Sequence, residues 1–135
     1  MVDIYKAGGI IIADKKLLVA KGKGKEFFIA TGGKLKKDET AKQALTRELK
    51  EEFQVEVEEK DMESFGTYFA KAAGNESQQL QMDVFLVKSY RGEIKPDSEI
   101  EEILWIDSNI PPEIKVGSIF EQEVIPALKA AGLIA

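Results

Sequence analysis

The chain contains no cysteine and no histidine. Without thiols there is no disulfide, no thiolate nucleophile and no zinc site of the Cys/His type, and without imidazole there is no Ser-His-Asp triad. Acid–base chemistry must then come from the 24 acidic residues, from lysine or tyrosine, or from a bound cofactor or metal. Carboxylates that hold a hard metal ion are the simplest solution. No apolar run approaches the roughly 18 residues of a membrane-spanning helix, and the start MVDIYKAGG has neither the basic stretch nor the apolar core of a secretory signal. A soluble, cytoplasmic protein with no membrane partner is expected.

Repeats, low-complexity tracts and long Pro/Gly/Ser-rich linkers are also missing, so residues 1–135 read as a single domain. There is no surplus of positive charge either. At a net charge of −5 the chain is poorly suited to a nucleic-acid polymer, which needs several unopposed Lys or Arg contacts. A small anionic ligand stays open, because Lys21, Lys23 and Lys25 and then Lys34, Lys36 and Lys37 bracket the apolar run Phe27 to Ala30. Solvation alone also accounts for such lysines. The sequence sets no oligomeric state.

What the chain does have is a mixed pattern of strands and helices. Ile4 to Ala13 and Leu17 to Lys21 read as a hairpin across Asp14-Lys15-Lys16, and Phe27 to Ala30 as a further short strand. Thr40 and Gln43 have the spacing of a capping box, which starts a helix from Ala41 to about Phe53. Phe65 to Lys71 and Leu80 to Lys88 read as strands around a loop from Ala72 to Ser77, and Leu104 to Ile106 as a last strand. Gly117 to Ala131 has helical spacing, with Pro126 predicting either a kink or a shorter helix. This order suggests a mixed sheet covered on both faces.

The first helix carries Glu48, Glu51 and Glu52. At about 100° per residue, with Glu48 at zero, Glu52 falls near 40° and Glu51 near −60°. Glu48 and Glu52 therefore lie inside the apolar arc with Ala41, Ala44, Leu45 and Leu49, whereas Gln43, Thr46 and Lys50 take the other face. Solvated charge runs do not usually do this. Carboxylates three and four residues apart repel, and partial burial raises the cost unless a cation compensates. Lys or Arg can supply it, but Mg²⁺ suits clustered carboxylate oxygens best. Arg47, four residues before Glu51, is in reach of a helix-surface ion pair. Ahead of the helix, Gly32 and Gly33 permit close backbone approach to a metal or phosphate, although most glycine pairs are only turns.

Gly33, five residues, Glu39, seven residues and then Arg47-Glu48-Leu49-Lys50-Glu51-Glu52 resembles the Nudix box of the Nudix hydrolases. The leading hairpin and the Glu-Glu-Ile-Leu-Trp-Ile-Asp stretch around Trp105 are similar to the family too, so the resemblance extends over the whole chain. It implies an α/β fold, an α/β/α sandwich with a mixed β-sheet. It also implies hydrolysis of a nucleoside diphosphate linked to another group, with Mg²⁺ as cofactor and Mn²⁺ as a possible substitute. Carried over, Glu48, Glu51 and Glu52 are metal ligands with the Gly32 carbonyl as a further one, Arg47 holds a box glutamate, and Glu39 supports the loop. Glu99 is the matching acid outside the box and a further candidate metal ligand, with Glu101 and Glu102 as competitors. Glu48, Glu52 and Glu99 are all candidates for the general base.

Lys34 and Gly33 are candidates for phosphate contact, and Phe28 for base stacking, along with Tyr68, Phe69 and Phe120; each aromatic also suits core packing. The substrate implied is a small-molecule nucleotide: a nucleoside triphosphate, standard or oxidised, with ADP-ribose or another nucleotide sugar as the alternative. A Nudix-fold binding module with little turnover is a third reading. Two residues depart from the family pattern. Gln54 stands where the box has glycine, which either costs roughly 1 kcal/mol of left-handed strain or changes the helix exit. Thr31 stands where many members have proline, which is expected to add freedom to the loop without deleting a ligand.

Overall fold

The structure, a computed structural model, describes residues 2–72, 75–97 and 99–135. Its central element is β1 (Ile4–Ile10). One face of β1 is so closely covered that a methyl group at Gly9 would stand 2.9 Å from Leu45, and the other so that one at Gly8 would stand 3.1 Å from Met82. At Ile11 the chain leaves β1 and continues as β2 (Ile12–Ala13), which pairs with β3 (Lys16–Gly22). The turn between them has two residues, Asp14 and Lys15, with φ of 51° and 63°. Those left-handed angles match the twist of the flanking strands. The expected hairpin is present, but its first run is divided between two sheets.

The larger sheet has the order β4-β1-β6-β5, with β4 (Thr31–Lys34), β5 (Met62–Ala72) and β6 (Asn75–Val87). β1 and β6 are parallel and the other pairs antiparallel, so the sheet is mixed. The smaller sheet, β2-β3-β7, ends with β7 (Ile100–Ile106), which is longer than expected. Part of the loop expected over Ala72 to Ser77, namely Ala73 and Gly74, lies outside the described residues, as does Met1 of the opening stretch. The strands run up to Ala72 and resume at Asn75.

One expected strand is displaced. Phe27 to Ala30 makes only isolated bridges, Ala20 with Ile29 and Phe28 with Val116. The true strand is β4, built on the glycine pair itself and paired through Thr31 to Gly9 and Gly32 to Gly8. Glycine weakens a strand by entropy and lack of packing, so propensity argues against this segment. Close approach overrides it, because a methyl group at Gly32 would stand 2.0 Å from the Ala7 carbonyl oxygen.

Helix α1 (Ala41–Phe53) begins with the expected box, in which the Thr40 hydroxyl accepts from the Gln43 amide at 3.1 Å and the Gln43 side chain accepts from the Thr40 amide at 2.9 Å. Such a cap stabilises the helix by about 1 kcal/mol. Leu45, Leu49 and Phe53 are fully buried beneath it with Ala7, Leu18 and Val55. Burying each large side chain contributes about 2 kcal/mol. A second apolar cluster, with Met82, Val84, Phe120, Val124 and Leu128, fills the other side, under α2 (Ile125–Ala130). Layers of helix, sheet and helix result. Pro126 is accommodated by a π turn over Phe120–Val124, whose wider register sends the Ile125 amide to the Phe120 carbonyl and continues into α2. Proline lacks an amide and crowds the preceding turn, and the extra residue in the turn relieves both. Among the described residues no helix is long and apolar enough to cross a membrane.

Candidate functional site

The glycine strand and α1 lie against each other, and this contact aims the acids. A methyl group at Gly33 would stand 2.6 Å from Glu48 Oε1, so with any other residue there the carboxylate has to shift from this position. Glu48 side-chain exposure is 16%, whereas that of Glu51 is 56%. Glu52 is half-buried. The helical wheel therefore ranks the three acids correctly.

Arg47 gathers one end of the cluster. Its Nε donates to Glu39 Oε2 at 2.9 Å and its Nη2 to Glu39 Oε1 at 2.9 Å, a two-point fork, while Nη1 donates to Glu48 Oε1 at 2.7 Å. Nη1 also pairs with Glu51 at 3.5 Å, and Nη2 reaches the Lys34 carbonyl at 3.1 Å. Bonding to Arg47 and to the Lys36 amide holds Glu39 down at about 2. The Glu39 and Glu48 carboxylates in turn raise the Arg47 pKa above its ordinary value. Glu39 thus fixes the arginine and the loop together.

Glu52 sits in different company. Its Oε1 accepts from the Thr31 hydroxyl and, at 3.1 Å, from the Gly32 amide. Burial pushes its pKa up to about 7; the Thr31 and Gly32 donors pull it down, and the charges of Glu48 and Glu51 raise it further. Thr31 does not loosen a loop, contrary to the expectation from the sequence. It opens β4, is 4% exposed and pairs with Gly9.

Glu48, Glu51 and Glu52 border an open cleft of about 800 Å³, which Lys23, Lys25, Ile29, Asp97 and Glu99 also line. Glu99 is brought there because the amides of Lys95 and Asp97 bond the last carbonyls of α1, those of Phe53 and Glu52. Its own carbonyl accepts from Lys23, tying in the lysine loop. Glu101 pairs instead with Lys21, and neither it nor Glu102 borders the cleft. Lys34 opens onto a separate depression with Tyr5, Lys36 and Glu39. Phe28 is 4% exposed within the apolar core, as are Phe120 at 2% and, in part, Tyr68. Phe69 is exposed at 62% on β5 and does not border the cleft. Ile29 presents the apolar surface there.

The donor set is all oxygen, from three carboxylates beside a glycine strand, and such donors fit a hard divalent cation. Among the described residues no three acids stand close enough to coordinate one ion as they are. Glu48 is drawn to Arg47 and Glu52 to Thr31 and Gly32. Sequence reasoning left Lys23, Lys25 and Asp97 out of the site; the lysine cluster was visible but indistinguishable from solvated charge. Nothing local in the sequence signals that Thr31 meets Glu52, 21 residues away.

The family model of the NUDIX domain matches residues 5–128. The uncharacterized Nudix hydrolase YvcI of Bacillus subtilis (strain 168) is 24% identical over 100 residues, which are 74% of this chain and 63% of that protein. The chain thus spans less than two thirds of the length of this curated relative. Among solved structures, the E. coli ORF135 protein superposes with a TM-score of 0.75 at 24% identity, over 97% of this chain and 94% of that one. The MutT NUDIX hydrolase from Burkholderia pseudomallei gives 0.73 at 20% identity, over 93% and 95%. At these identities the likeness is one of fold.

Proposed function

We propose, for a chain that belongs to the NUDIX domain family, that it hydrolyses a nucleoside diphosphate linked to another group, with a nucleoside triphosphate as substrate and the monophosphate and pyrophosphate as products. The observation that carries this reading is the convergence of Glu48, Glu51, Glu52 and Glu99 on one cleft that also holds Lys23 and Lys25. Acids alone repel a polyphosphate. Glu48, Glu51 and Glu52, with the Gly32 carbonyl, would hold Mg²⁺, or Mn²⁺ in its place. A divalent cation supplies neutralisation of the diphosphate and lowers the pKa of a bound water.

The rest is done by the chain itself. Lys23 and Lys25 meet phosphate charge at the cleft mouth, and Arg47 keeps Glu48 and Glu51 in place. One bond forms, from the water oxygen to phosphorus, and one P–O bond of the bridge breaks; the bridging oxygen departs with the leaving phosphate group. The water proton needs an uncommitted acceptor. Glu48 and Glu52 are assigned to the cation, whereas the Glu99 carboxylate borders the cleft, is exposed and is bonded to no described residue. Glu99 takes the proton and passes it to solvent.

Mg²⁺-dependent phosphate and pyrophosphate release should be measured over nucleoside triphosphates and nucleotide sugars, ADP-ribose included. Glu51→Gln and Glu52→Gln should abolish most turnover, and Glu99→Gln should lower kcat about a hundredfold. If nucleotide sugars alone turn over, the alternative substrate class replaces the triphosphate. If nothing turns over, or both box variants keep full activity, the hydrolase reading fails in favour of a binding module.

A further inference from the structure

Thr31 is the one buried polar side chain among the described residues. A buried hydroxyl needs a partner, and this one donates to Glu52 Oε1. The direction of the hydroxyl is set by packing. A methyl group at Gly9 would stand 3.0 Å from Thr31 Cγ2, so the threonine methyl fills the space beside its strand partner and leaves the β-branched side chain little choice of rotamer. The Gly32 amide, fixed by the same strand, donates to the same oxygen at 3.1 Å. Oε1 is thus held at two points, and Oε2 has no hydrogen bond among the described residues although Glu52 borders the cleft.

We propose that Thr31 is a positioning residue, which anchors one oxygen of Glu52 so that the other is presented to a divalent cation in the cleft. This rests on the reading of Glu52 as a metal ligand. Valine has the shape of threonine without the donor, and proline offers neither hydroxyl nor amide. The strand alone would still place the Gly32 amide, but one donor leaves the carboxylate free to turn about it. Groups that orient a ligand from behind usually matter about ten- to a hundredfold to metal affinity.

The test is Mn²⁺ binding to nucleotide-free protein, followed by the loss of the free-ion electron paramagnetic resonance signal, so that activity is not the readout. Thr31→Val should weaken Mn²⁺ binding about tenfold and Thr31→Ser should stay close to the parent. Thr31→Ala beside Thr31→Ser gives a second pair differing in the hydroxyl, for use if the valine variant fails to fold. Glu52→Gln is the control for the underlying reading. If it weakens Mn²⁺ binding while the folded variants with and without the hydroxyl bind alike, the role of Thr31 is overturned and the ligand reading stands. If Glu52→Gln itself binds Mn²⁺ like the parent, the ligand reading falls and the proposal falls with it. A tenfold loss that follows the hydroxyl in either pair, with Glu52→Gln also weakened, supports it.

Discussion

Glu48 and Glu52 lie one turn apart on the same side of α1, yet their surroundings are opposites. Around Glu48 negative charge meets positive charge: Arg47 binds Glu39, Glu48 and Glu51 together, and its single charge offsets part of theirs. Around Glu52 it is met, among the described residues, only by neutral dipoles, the Thr31 hydroxyl and the Gly32 amide. The first arrangement is a clamp whose members are held in place by a fixed cation and still carry net negative charge. The second leaves a half-buried carboxylate whose charge is not balanced, which is the condition under which an external cation gains most by binding. The two ends of one short segment thus differ in how their carboxylates are held, by a fixed cation at Glu48 and by neutral donors at Glu52.

The largest effect that sharpens this contrast is the dependence of stability on pH. Glu52 has a folded pKa of about 7 against 4.5 for the unfolded chain. Between those values the folded state binds more protons, so stability contributed by this residue falls as pH rises from about 4.5 through about 7, and the penalty is complete above that. Its upper bound is about 3 kcal/mol. Urea midpoints in a chelating buffer from pH 5 to 8.5 should show the decline, and Glu52→Gln should remove most of it. A parent and variant with parallel profiles would mean that the carboxylate is solvated rather than half-buried. Added divalent ion should restore stability most at the alkaline end, where no proton competes for the site.

The arginine end should behave differently. Arg47→Ala leaves Glu39 and Glu48 without their partner and should lower stability by about 2 kcal/mol, read from the urea midpoint. That loss should be nearly constant from pH 5 to 8, because Glu39 is held down at about 2 and arginine does not titrate. Arg47→Lys should recover only part of it, since an ammonium cannot make the two-point fork to Glu39. A loss that grows steeply with pH would mean that Arg47 also balances Glu52, and the division between the two ends would disappear.

Much of this was legible from spacing alone. The capping box, the extent of α1 and the inward aim of Glu48 and Glu52 follow from local chemistry and a 3.6-residue period, and each is as expected. The Nudix box carried the family and, with it, the sandwich. Harder to see was anything that depends on what lies opposite in space. A glycine pair reads as a turn, and only its pairing with β1 and the nearness of the Ala7 carbonyl and the Glu48 carboxylate, distant in sequence, show why glycine stands in a strand here. Ile11 gives no sign that the chain changes sheets there. Thr31 looked like a missing proline because its partner lies 21 residues away. The arrival of Glu99 was legible in the family pattern but its cause, amides bonding the end of α1, was not.

The smallest effect concerns the far end of the same helix, where Gln54 stands at the position at which the box resemblance leads one to expect glycine. Of the two outcomes expected for glutamine, the helix takes the strained one: Gln54 adopts φ 60° and ψ 31°, its amide bonds the Lys50 carbonyl, and the exit path is that of a glycine cap. The left-handed geometry costs about 1 kcal/mol relative to glycine. Part of this is offset by the side chain, whose Nε2 donates to the Lys95 carbonyl at 3.3 Å. Such an exposed bond contributes about 0.5 kcal/mol. Gln54→Gly should therefore stabilise the protein by only about 0.5 kcal/mol, measured by urea unfolding. The Lys95 and Asp97 amides still bond α1, so Glu99 stays beside the cleft and kcat should remain within about twofold of the parent. A glycine variant that is more stable but markedly slower would show that the glutamine does more than end a helix: through Lys95 it would be holding the segment that delivers Glu99.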